Sequence, residues 1–101
     1  MDKEYKCGQD NINTIDHAHS KIVTYEYDKI LEGLDMLEGI HTLEALHVKA
    51  MGYDILYTKY QKQDAAEKEL EILQFLLKKK SYSKWDVIEK EYSNLLKKLN
   101  R

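Results

Sequence analysis

The residues most able to do chemistry stand in the run EGIHTLEALH, where Glu38 precedes His41 and Glu44 precedes His47 at the same spacing. A carboxylate and an imidazole three residues apart lie on one side of a helix, and carboxylate-bridged di-metal bundles hold their ions with such pairs. Those bundles draw ligands from four facing helices, however. Here both pairs fall within one short stretch and straddle a turn expected at Gly39. Even on one continuous helix, each three-residue step would rotate the face by about 60°, so Glu38 and His47 diverge. Convergence defines a metal site more than spacing does. The favoured reading is therefore solvated Glu and His around a helix junction, with a helical metal-binding protein ranked last among three functions and no cofactor expected.

The other reactive side chains are less organised. Asp16, His17 and His19 give an H-x-H spacing without an accompanying zinc pattern. Cys7 has no local base and no second thiol to pair with, which suits a reducing compartment. Glycine-rich phosphate loops and G-x-S-x-G elbows do not occur in the sequence. A non-enzymatic protein is expected.

Tyrosine is more informative. Of eight tyrosines, Tyr53, Tyr57 and Tyr60 share one helical stripe, and Trp85 and Tyr92 share another. Packing at the edge of a core accounts for such spacing. Aromatic side chains are also enriched where proteins recognise one another, so these five are the candidate protein-binding residues, with Tyr57 expected to be exposed. The partner would be another protein or a second copy of the chain.

A third reading takes Glu67 to Leu99 as a helix-turn-helix-like DNA-binding accessory, with Lys78, Lys79, Lys80 and Lys84 meeting phosphates. Charge polarity favours it: residues 1–61 hold 6 lysines against 11 acids, residues 62–101 hold 10 basic residues against 7 acids. Against it, 15 of the 16 basic residues are lysines, which lack the bidentate fork that reads guanine. Glu89 and Glu91 also sit mid-face on the would-be reading helix. Nucleic-acid binding ranks second.

The elements that must position these residues are helices. The chain has no proline and four glycines, so it lacks the punctuation of turn-rich β folds. Residues 1–13 read as a polar tail and 14–101 as a single helical domain. Thr14 to Ser20 suits one or two helical turns. From Lys21, Val23, Tyr27, Ile30, Leu34 and Leu37 recur at alternating steps of four and three, predicting one helix, with a short strand over KIVTYEY as the local competitor. Gly39 to His41 should turn, and Thr42 should cap a helix carrying Leu43, Leu46, Ala50, Tyr53, Tyr57 and Tyr60. Asp64 and Glu67 have capping-box spacing, so residues 42–80 form either two helices or one that changes face. Ala66, Leu70, Leu73 and Leu77 continue the pattern. A last helix beginning near Ser83 carries Trp85, Ile88, Tyr92, Leu95 and Leu99.

Length and composition agree. A chain of 101 residues, 43% hydrophobic and 34% charged with net charge -2, suits one folded domain. No run approaches the roughly 20 apolar residues of a membrane span, and no apolar leader opens the chain, so a cytoplasmic location without membrane contact is expected. The expected fold is all-α, a small bundle of three to five amphipathic helices that dimerisation would complete. The expected function is a protein-protein interaction module, in the manner of a small regulator, inhibitor or immunity-type protein.

Overall fold

The computed structural model describes residues 11–101, so the first ten residues, Cys7 among them, lie outside the account that follows. Five helices appear in order: α1 Ile12–Ile22, α2 Tyr27–Met36, α3 Leu43–Thr58, α4 Gln63–Leu77 and α5 Trp85–Lys98. No strand occurs among the described residues, and KIVTYEY runs from the end of α1 through a turn to the first residue of α2.

The first correction to the sequence reading lies there. The helix expected from Lys21 to Leu37 is two helices, because the chain breaks at Val23 to Glu26. Thr24 turns its hydroxyl onto the backbone, donating to Lys21 O at 2.7 Å and accepting from Glu26 N at 3.2 Å. Such local bonding competes with helix continuation. Tyr25 then takes φ 64, a left-handed conformation uncommon for a bulky residue. Val23 and Tyr27, assigned to an apolar stripe, are instead exposed at 44% and 37%. The helix before them is also longer than the one or two turns foreseen.

Helices α1 and α2 close on each other through Ile15, Ala18 and Ile22 against Ile30, Leu34 and Leu37. Gly33 permits the approach: a Cβ there would stand 2.8 Å from both Ala18 O and Ile22 Cγ1. The turn at Gly39 forms as expected, with φ 82, and Thr42 caps α3 by accepting from Ala45 N at 3.1 Å.

Helix α3 is the axis of the molecule and is buried on two sides. Ala45, Ile55 and Leu56 join the α1/α2 core, while Leu43, Leu46 and Ala50 join a second core with Leu73, Leu76, Ile88 and Leu95 from α4 and α5. Residues 42–80 thus form two helices, parted at Lys59–Lys62 where Gln61 adopts φ 57. The capping box expected of Asp64 and Glu67 does not form: α4 starts one residue earlier, without a side-chain cap. Glu67 instead accepts from Arg101 at 2.6 Å. No helix among the described residues is long and apolar enough to cross a membrane.

Candidate functional site

Helices α1 and α5 pack against different neighbours and leave one face of α3 open between them. Two confluent pockets, sharing Met51 and Glu91, follow that face. Its floor is Glu44, His47, Val48, Met51, Asp54 and Ile55, residues three and four apart that line one side of a helix. The rims are apolar. Of the six large hydrophobic side chains exposed on the described surface, Ile12 and Val87 line one pocket and Val23 and Tyr25 the other. The remaining two, Tyr27 and Leu31, border a separate hollow between α2 and α4 that also contains Tyr53.

The groove is acidic. Asp16, Glu44, Asp54, Glu69 and Glu91 line it against Lys84 and Lys98. Two of these carboxyls are incompletely satisfied: Glu44 Oε2 and Glu69 Oε1 are buried without a hydrogen-bond partner. Glu69 is 3% exposed. Burial pushes its carboxyl up to about 8, and the charge of Asp54, a hydrogen bond with Asp54 and the charge of Glu91 add to this, while Lys98 opposes it. Lys98 reaches across the mouth to Asp54, Nζ to Oδ1 at 3.2 Å.

His47 is the hinge of the second pocket. Its Nδ1 lies 3.0 Å from the Tyr82 hydroxyl and its Nε2 3.0 Å from Glu91 Oε1. A carboxylate only accepts, so in the neutral ring Nε2 carries the proton and Nδ1 accepts from Tyr82. The ring of His47 also meets Tyr82 edge-on, with centroids 5.8 Å apart. One imidazole therefore ties α3 to the α4–α5 loop and to α5.

The remaining sequence candidates are distributed as follows. The four Glu/His residues do not form a cluster: Glu38 pairs with Lys49 at 3.3 Å, His47 spends both nitrogens on Tyr82 and Glu91, and no group of three or more His, Cys, Asp or Glu among the described residues could hold a metal ion. Tyr53 and Tyr57 are half-buried and pack against both cores, so Tyr57 is not the exposed residue foreseen. Burial, with the charges of Glu38 and Asp64, raises the pKa of the Tyr53 hydroxyl. Tyr60 donates to Tyr25 O at 2.6 Å and meets Tyr27 edge-on at 5.1 Å. Together with Lys59 Nζ, which donates to the same carbonyl at 2.9 Å, it holds the left-handed Tyr25 at the groove's rim. Trp85 donates to Leu77 O at 3.0 Å, and Tyr92 accepts from Gln74 at 3.5 Å. Lys78 and Lys80 are exposed beyond α4, Lys79 lies 5.1 Å over the Phe75 ring, and Lys84 stands at the groove.

Sequence reasoning missed Glu69, Asp54 and Tyr25. For Glu69 a signal existed: it falls three residues after Ala66 and four before Leu73, on the apolar side of α4. For Tyr25 none existed, because its place depends on a backbone turn.

Among the described residues, the fold and this groove define an all-α arrangement of five helices with an acidic, apolar-rimmed cleft across the central one. Compared with protein-family models, curated proteins and solved structures, the chain matches none.

Proposed function

We propose that the chain is a non-enzymatic protein-interaction module, in kind a small regulator or inhibitor, whose groove across α3 receives a basic amphipathic helix of a partner protein. The observation that carries this reading is the pairing of exposed Ile12, Val23, Tyr25 and Val87 with a groove lined by five carboxyl side chains. Apolar side chains clustered at the edge of a concave surface mark a place where burial is completed by something else. An amphipathic helix lies in such a groove by its apolar face, and its flanking cations answer the acids. Even with Glu69 holding its proton at pH 7, four other acids against two lysines repel a phosphate backbone, which favours protein over nucleic acid. The chain's own first ten residues carry two lysines against three acids, a poor match for an acidic groove.

The test is an NMR titration of the full chain with a helical 14-residue Leu/Lys peptide and its Leu/Glu counterpart. Shifts for the Leu/Lys peptide should map to α1, α3 and α5 around Met51, and Val87→Asp should weaken them at least ten-fold. Equal response to both peptides, or shifts confined to the α2/α4 hollow, would overturn the reading. Solution mass measured alongside separates a self-associating chain from one that binds a foreign segment.

A further inference from the structure

Resting on the groove reading, we infer that the cavity beneath Val23 and Tyr25 is a socket for one cationic side chain of the docked segment, an ammonium or guanidinium held by Glu69 and Asp54. Four observations converge on it. Glu69 is 3% exposed, lines the cavity and leaves Oε1 without a hydrogen-bond partner. A buried polar atom in that state is costly unless a ligand completes it. Asp54, on the facing helix, already binds an ammonium, that of Lys98, whose side chain is 43% exposed. The socket is therefore of the right chemistry for a second cation or a replacement one.

Size and walls agree. The cavity is about 270 Å³, below the roughly 300 Å³ at which small-molecule pockets begin, and suits the end of one side chain. Val23, Met51 and Ile55 offer apolar contact for an alkyl stem, as long cationic side chains require. A metal ion is a poorer occupant, since the described residues supply no group of three or more His, Cys, Asp or Glu able to hold one. Two facing carboxyls suit a forked or multiply donating organic cation.

Occupancy has an electrostatic consequence. The charged groups facing Glu69 are Asp54 on α3 and Glu91 and Lys98 on α5. With its carboxyl held up to about 8, Glu69 is largely protonated at pH 7, and an entering cation favours the ionised form. Docking therefore expels a proton, and affinity rises with pH until Glu69 is ionised in the free protein. Glu44, with its own unpartnered Oε2, stands ten residues before Asp54 on α3, about 15 Å along the helix axis. A partner helix lying along α3 would place a second cation at that interval.

The probe is n-butylguanidinium, titrated into the full chain at pH 7 and followed by amide shifts of Met51 and Asn94, with proton release measured by calorimetry in two buffers of different ionisation enthalpy. Saturable shifts at those residues with net proton release are expected. Glu69→Gln should weaken binding at least ten-fold and abolish the release, and Lys98→Gln should tighten binding several-fold by removing the competing cation. Urea unfolding of each variant establishes that it is folded. Equal affinity for wild type and Glu69→Gln, or shifts remote from the cavity, would overturn the socket. If butylguanidinium binds as described while the Leu/Lys peptide does not, the groove reading fails and the socket stands. If the peptide binds in the groove while Glu69→Gln leaves butylguanidinium unaffected, the socket fails alone.

Discussion

Glu69→Gln should remove a pH dependence of stability that the wild-type chain carries between about pH 4.5 and about 8. In the unfolded chain this carboxyl loses its proton near 4.5, whereas in the folded chain burial and Asp54 hold the proton on until about 8. Between those values the folded state binds one more proton than the unfolded state, so stability falls as pH rises, by about 1.4 kcal/mol per unit. Above about 8 both states are ionised and the slope vanishes. From pH 6 to pH 8 the loss amounts to about 2 to 3 kcal/mol, and at 3% exposure little of it is screened by solvent. With a urea slope of about 1 to 3 kcal/mol per M, the unfolding midpoint should drop by roughly 1 to 2 M over that interval. Glutamine has nearly the same shape and offers Asp54 an N–H donor in place of the protonated carboxyl, but it does not titrate. The variant should therefore be more stable than wild type, by a margin that widens from pH 6 to pH 8. Other titrating groups are common to both proteins and cancel in the difference. Midpoint curves that run parallel across this range would refute the buried-acid reasoning.

Two further outcomes follow from the packing. Gly33→Ala should destabilise the chain by about 1 to 3 kcal/mol, because the new methyl meets the Ala18 carbonyl, a backbone atom that cannot step aside; thermal unfolding measures it, and an unchanged or raised Tm would contradict the close approach of α1 and α2. His47→Ala should cost about 2 to 4 kcal/mol, since it empties a site 6% exposed and releases Glu91. A double-mutant cycle with Tyr82→Phe should show coupling above 0.5 kcal/mol if the 3.0 Å contact is a true hydrogen bond, and additive losses would deny it.

The local features of this protein were legible in its residues. Apolar spacing without proline dictated helices, Gly39 dictated the turn, and Thr42 the cap of α3, because each depends on atoms only a few positions apart. The stripe of α5 was equally plain, with Ile88 and Leu95 buried where the period placed them. What needed the tertiary structure was anything decided by a distant neighbour. The apolar period runs unbroken through Thr24 and Tyr25, yet the chain turns there, with Lys59 and Tyr60 from the far end of α3 gripping the Tyr25 carbonyl. Helix α3 has no single apolar stripe because two cores claim opposite sides of it. The groove is assembled from α1, α3, α4 and α5, whose residues are far apart in sequence. Glu69 falls on the apolar side of α4's period although it stands in the charged run EKELE, and the packing of α4 against α3 is what withdraws it from water and sets it beside Asp54. Short-range chemistry fixed the helices and most of their ends; burial, which depends on what each helix face meets, chose which charges became the candidate site.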